Sequence, residues 1–400
     1  MTATPVQMPL PRARNVLDPD VRQNPYPFYA ALRREAPVCY SDPPGMWLIC
    51  GYDDVVSVAH RHGEFSSVAM KRQQGSGERG VQSVITTDPP VHTRLRGILQ
   101  REFTARQLAR LRPRIEVLAD ELVSRMLARG RFDFVEQFAI PFPVTVIAEM
   151  LGIAPERREA FKWWSDCMVR VVSETSGSAW ARAREGVFEL VEFFRETIEA
   201  RRSRPTAAGD LLDRLVEAGR EGRLSDKEIL SYCTLLLAAG NETTTNLIAG
   251  TVVALLDHPG ELERLLGDPS LIPAAVEEGL RYCSPVQVIF RRALRDLELR
   301  GARIAAGQDL ALCLASANRD EAKFADPDRF DLSRTTAGHV GFGYGVHHCL
   351  GAHLGRLEAA IALERLLPHL ARLRGRLDEI HWSELWFIRG PEHLPLERAS

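Results

Sequence analysis

The chain predicts a mainly α-helical fold with small β-sheets, an α+β arrangement built as one domain. Three features carry that expectation: helical spacing of apolar residues almost throughout 90–257, short alternating runs on either side of that stretch, and one helical pattern long enough to cross the molecule.

A proline-rich, poorly patterned lead occupies 1–24, and the domain proper runs over 25–400. "PYPFYAALRREAP" has helical spacing and stops at Pro37. "VCY" and "MWLIC" flank the turn-forming "SDPPG" as a hairpin, and "YDDVVSVAHRHGEF" is helical again. Residues 66–87 are Gly/Ser-rich without a period, and a long loop inside a compact domain is usually functional. "LRPRIEVLADELVSRML", "FPVTVIAEML" and "VFELVEFFRETIEARR" then repeat apolar residues every three or four positions. A capping box, Ser225 to Glu228, opens a helix that can continue to Leu256, about 45 to 50 Å by helical rise. After 284 the period shortens to strands in "VQVIF", "LEL" and "ARIAAGQDLALCL", and 318–340 is polar and aperiodic. No internal repeat, low-complexity segment or linker divides the chain.

With 400 residues and 45% hydrophobic content the chain can fill a large core. Its 51 basic and 53 acidic residues leave a formal charge of -2, so no global field recruits nucleic acid or an acidic membrane. Seven scattered cysteines without CxxC spacing point to the cytosol rather than to a disulfide framework. The start, "MTATPVQMPLPRARN", lacks a signal-peptide core, and the longest apolar run, "CTLLLAA", is far short of a membrane span. A cytoplasmic protein is expected.

Four stretches carry chemistry. In "FGYGVHHCLG", Gly343 and Gly345 let the backbone coil tightly before Cys349, and an amphipathic helix follows, so the thiol meets the positive end of a helix dipole. A buried structural cysteine is the plainer reading; a metal site formed by His347, His348, Cys349 and His353 is another. In "EEGLRYCSP", Glu278 and Arg281 stand at i, i+3, a spacing that commonly marks a solvated helix face. "AAGNETTTN" sets Glu242 and Thr243 into an apolar helix, which costs helix stability unless a kink or a polar task offsets it. "DPPVHTRLR" puts His92 and Arg96 on one helix face.

Taken together these motifs resemble the cytochrome P-450 family of haem-thiolate monooxygenases over nearly the whole chain. "FGYGVHHCLG" satisfies each fixed position of the family's cysteine signature. The resemblance implies haem b as cofactor with Cys349 as axial thiolate and iron ligand, Gly351 allowing close approach to the porphyrin, and His347, His92, Arg96 and Arg291 facing the propionates. It implies that Thr243 stabilises bound oxygen species and that Glu242 delivers protons through water. Asn241 stands where the family often has histidine. Glu278 and Arg281 become a buried structural pair joined by Arg329 of "PDRF". The implied architecture is a triangular prism with haem between the long central helix and the cysteine-led helix.

By the same resemblance the substrate pocket is lined by the 66–87 loop, Leu235, Ala238, Ala239, Val286, Gln287, Val288, Phe387 and Ile388, which suits a hydrophobic small molecule. O2 is the co-substrate. Residues 91–115 hold seven arginines against one acid, Glu102, and an acidic ferredoxin is expected to dock near Arg101, Arg110 and Arg112. No flavin or NAD(P)H domain is expected in the remaining length, so separate proteins are expected to supply electrons. A monomer is expected. Two other readings stay open: a peroxide-driven peroxygenase, and a non-catalytic haem sensor, zinc protein or docking module.

Overall fold

The computed structural model describes residues 14–69, 83–173, 177–204 and 209–398. In chain order the first elements are α1 (Pro19–Gln23), α2 (Tyr26–Glu35), β1 (Val38–Ser41), β2 (Met46–Ile49), α3 (Tyr52–His60) and β3 (Phe65–Ser66). Helices then dominate: α4 (Val91–Leu99), α5 (Arg112–Leu127), the short β4 (Arg131–Asp133), α6 (Pro141–Met150), α7 (Arg158–Ser173), α8 (Ser178–Ser203), α9 (Leu211–Arg220) and α10 (Asp226–Asp257). After α11 (Pro259–Gly267) and α12 (Ile272–Tyr282) come β5 (Val288–Ala293), β6 (Leu297–Leu299), β7 (Ala302–Ile304) and β8 (Asp309–Cys313). The chain closes with α13 (Ala352–Leu370), β9 (Leu373–Arg374) and β10 (Pro395–Arg398). No helix among the described residues is long and apolar enough to cross a membrane.

The chain gathers into two compact units, one of 1–70, 246–349 and 362–400, the other of 71–245 and 350–361. The first is built on a five-stranded sheet in the order β1-β2-β8-β5-β3. β2 and β8 run parallel, and the other neighbours are antiparallel. Both faces are buried, so successive residues of each inner strand serve different cores. Met46, Leu48, Ala311, Cys313, Val288 and Phe290 join one cluster with α2 residues Phe28, Tyr29 and Leu32. Trp47, Ile49, Leu310 and Leu312 join the other, with Val55, Val58 and Ala59 of α3.

The expected lead differs from what forms. α1 lies inside it, and Val16 and Val21 are 2% and 3% exposed within the first cluster. A five-residue helix is too short to show a period, so its residues carry no helical pattern. Part of the expected 66–87 loop, 70–82, lies outside the described residues.

The second unit is helical. Phe161 and Trp164 of α7 pack in edge and tilted geometries on Phe193 and Phe194 of α8. A Cβ on Gly186 would stand 2.4 Å from Cys167 Sγ, so the two helices cross at a distance only glycine allows. The capping box at the head of α10 forms: Ser225 N–H donates to Glu228 at 2.8 Å, and Glu228 N–H returns a bond to Ser225 Oγ at 3.4 Å.

Candidate active site

In the first unit the glycines of the cysteine loop do what their spacing implies. Gly343 and Gly345 have φ of +71° and +73°, left-handed conformations that side chains disfavour. A Cβ on Gly345 would lie 2.8 Å from the carbonyl oxygen of Ala59, and one on Gly341 2.8 Å from that of Leu280. The loop is therefore laid directly on the backbones of α3 and α12. Cys349 N–H donates to Phe342 O at 2.9 Å and closes the coil. Of the seven cysteines, Cys349 is the exposed one; Cys39, Cys50, Cys167, Cys233 and Cys313 are buried and Cys283 is partly so.

Two details of this motif differ from expectation. α13 begins at Ala352, three residues beyond Cys349, with Gly355 N–H bonding Gly351 O at 2.9 Å. The helix is also less amphipathic than its sequence suggests: His353 and Pro368 are its exposed residues, and even Glu358 is 1% exposed.

The Glu278–Arg281 pair is fully buried and bidentate, with both bonds at 2.7 Å and both side chains at 0% exposure. Arg281 also donates to the carbonyls of Asn318, Pro327 and Arg329 at 2.9, 2.8 and 3.1 Å. Asn318 in turn accepts Val340 N–H at 2.7 Å, at the root of the cysteine loop. The third member is Arg334, not the expected Arg329. Arg334 Nε reaches Glu278 at 3.2 Å, whereas the Arg329 side chain is 63% exposed and points to Glu261 at 3.7 Å. Arg329 contributes its backbone carbonyl. Two arginines five residues apart look alike in sequence, and the turn between them decides which one faces inward.

Arg291 lies on β5 at 2% exposure, and His347 Nε2 is 2.9 Å from the hydroxyl of Ser67, a buried residue that the sequence did not single out. In the second unit His92 is 2% exposed on α4, with Arg96 half-buried one turn on. α4 is fastened to the start of α10 by Arg94, which reaches Glu228, and by Tyr232 Oη, which donates to Leu95 O at 2.5 Å. Arg101 and Arg110 are exposed; Arg112 is half-buried and bonded to Glu116 at 2.6 Å.

α10 runs unbroken through "AAGNETTTN". Thr243 Oγ1 donates back to Ala239 O at 2.9 Å, and Thr245 Oγ1 donates to Ala139 O at 2.9 Å. Asn241 Nδ2 donates to Ser165 Oγ of α7 at 2.6 Å. Burial, reinforced by the carboxylate of Asp166, pushes Glu242 up to about 7. Glu358, also missed by sequence reading, is held well above the usual carboxylate range by burial, opposed by a hydrogen bond with Thr244. Periodicity marks Glu358 only as a polar residue in a helix, and its burial needs the fold.

The apolar lining divides. Val286 and Ile388 are half-buried and bridge one another. Gln287, however, is 1% exposed and spends its amide N–H groups on Ser284 O at 2.6 Å and Cys283 O at 3.3 Å. Val288 points into the first core cluster, and the Phe387 ring packs there against Phe290 and Trp386. Along β5, alternation sends Val288 to the first cluster and Ile289 to the second, so Val288 serves packing. Leu235 and Ala238 are half-buried in the other unit, and Ala239 is exposed.

The donor set fits haem: an exposed sulfur on a glycine-shaped loop, and a guanidinium and an imidazole kept from water, where carboxylates are favoured partners. Among the described residues no group of three or more His, Cys, Asp or Glu is arranged to hold a metal ion. A family profile described as cytochrome P450 matches residues 144–373. The chain is 42% identical to putative cytochrome P450 YjiB of Bacillus subtilis, over 87% of this chain and 88% of that one. It is 38% identical to mycinamicin IV hydroxylase/epoxidase of Micromonospora griseorubida, over 92% and 94%. The structure of cytochrome P450 CYP109Q5 from Chondromyces apiculatus superposes with a TM-score of 0.88 at 42% identity, covering 96% and 97% of the two chains. The chain belongs to the cytochrome P450 family, the haem-b monooxygenases.

Proposed function

We propose that the protein inserts one oxygen atom of O2 into a C–H or C=C bond of a hydrophobic small molecule, using electrons from a separate ferredoxin and reductase. The observation that carries this reading is the exposed Cys349 sulfur on a loop locked by the buried Glu278–Arg281–Arg334 network. The mycinamicin relative, named for hydroxylation and epoxidation, supports the same reaction class.

Cys349 would hold the iron, and His92, Arg96, Arg291 and His347 the propionates, with Ser67 orienting the His347 ring. When bound, the haem supplies an iron made electron-rich by its thiolate, which favours O–O cleavage. Glu242, with a proton affinity near neutrality, can take up and release a proton at working pH, and Thr243 stands next to it on α10. That pair favours O2 over peroxide as oxidant, since peroxide already carries the protons a relay would deliver. Val286 and Ile388, half-buried and bridging one another, are apolar, which suits a substrate with few charges. The exposed Arg101 and Arg110 suit an acidic ferredoxin.

The test is the spectrum of the reduced protein under carbon monoxide, with product analysis beside it. A strongly red-shifted Soret band is expected, lost in Cys349→Ser with turnover reduced by at least about a hundredfold. Haem bound without that shift in the parent protein would overturn the reading.

A further inference from the structure

Thr245 uses its hydroxyl unlike its neighbours on α10. Thr234 and Thr243 return theirs to carbonyls four residues back, Leu230 O at 3.1 Å and Ala239 O at 2.9 Å. Thr245 Oγ1 instead leaves the helix and donates to Ala139 O at 2.9 Å, with both residues buried. Local sequence explains why that carbonyl is open to it. Val135–Ala139 form one π turn, closed by the Ile140 N–H on Val135 O at 2.9 Å, and α6 follows from Pro141. Four positions after Ala139 stands Pro143, which has no N–H to give, and the next donor, Val144 N–H, goes to Ile140 O at 3.4 Å. A buried carbonyl left without a donor is costly, and the Thr245 hydroxyl removes that cost.

The same bond fixes how α10 is rolled about its axis. Asn241 and Thr245, one turn apart on one face, are buried; on the opposite face Ala239 is exposed and Thr243 half-buried. A roll of about 15° would carry an oxygen at the helix surface, roughly 5–6 Å from the axis, by about 1.5 Å. Misplacement of that size can cost a reaction about a hundredfold. We propose that Thr245 is a positioning residue for the monooxygenase reaction, its hydroxyl fastening α10 to the carbonyl that Pro143 leaves open and so aiming Thr243 and Glu242. The proposal rests on the roles given to that pair above. Thr245 acts through the helix, from its buried face, and takes no part in proton transfer.

The experiment measures hydroxylated product and hydrogen peroxide per electron pair in the haem-loaded protein, with dodecanoic acid as the probe, beside the denaturation midpoint. Thr245→Val keeps the side-chain shape and removes the donor. It should cut product per electron pair at least about threefold, with the lost electrons recovered as peroxide and the carbon-monoxide spectrum of the parent retained. Thr245→Ser keeps a hydroxyl and should restore the yield. Pro143→Ala supplies an N–H where a regular helix would serve Ala139 O, so in that background Thr245→Val should cause at most about half the loss. A Thr245→Val protein that is less stable yet keeps the parent yield would reduce Thr245 to packing and overturn the proposal, as would equal losses with and without Pro143→Ala. Thr243→Ala separates the two readings. If it lowers the yield while Thr245→Val does not, the positioning role alone fails; if it leaves the yield untouched, the reading of the α10 pair fails and the proposal falls with it.

Discussion

Around Glu278 a carboxylate at 0% exposure receives two bonds from Arg281, one from Arg334 and one from the Asp331 N–H. The half-buried Glu242 carboxyl is raised by burial and then by the charge of another acid, Asp166, rather than lowered by a cation. The first arrangement fixes one charge state and makes the surrounding chain stiff, because every shift of backbone would break a charged bond. The second keeps two charge states close in energy near neutral pH, which a structural pair cannot do. One region holds a shape and the other holds a proton.

The largest effect that would test this contrast is Glu278→Ala. Removing one partner strands a buried guanidinium at a cost of about 3–5 kcal/mol, read as a lower denaturation midpoint and loss of haem on purification. An unchanged midpoint would abolish the contrast. Next, Arg334→Ala should cost about 1–3 kcal/mol by removing a charged bond to Glu278, whereas Arg329→Ala should stay within about 0.5 kcal/mol; equal effects would reinstate Arg329. The smallest is of opposite sign. The Glu242 carboxyl binds its proton more tightly folded than unfolded, so folding takes up a proton between pH 4.5 and about 7 and stability falls as pH rises through that window. Glu242→Gln should therefore gain about 1–2 kcal/mol at pH 8, discounted for partial exposure, and nothing below pH 4.5. A loss at pH 8 in chemical denaturation would mean that the ionised acid is stabilised by a partner.

Much of this was legible in sequence, because local signals coincide with local structure. The capping box at Ser225, the hairpin around "SDPPG" and the glycines before Cys349 each act within a few residues of themselves. The choice of Arg334 over Arg329, the burial of Glu358 and the bond from Ser67 to His347 depend on partners between 56 and 280 residues away. Residue type alone carries no such information. Asn241 shows the boundary: a departure from the family's histidine was visible, but its bond to Ser165 appears only once α7 and α10 are packed.

The seating of the cysteines has a consequence for handling the protein. Burial pushes Cys283 up to about 12 and also raises Cys39, Cys167 and Cys233, while Cys50 is raised by its hydrogen bond with Cys313 and then by burial, so thiolate at these positions is scarce. To a water-borne electrophile the polypeptide therefore presents one target sulfur, Cys349, which is also the atom that iron claims. Alkylation and haem loading compete for a single address, and a thiol stain doubles as a gauge of how much of a preparation carries its cofactor.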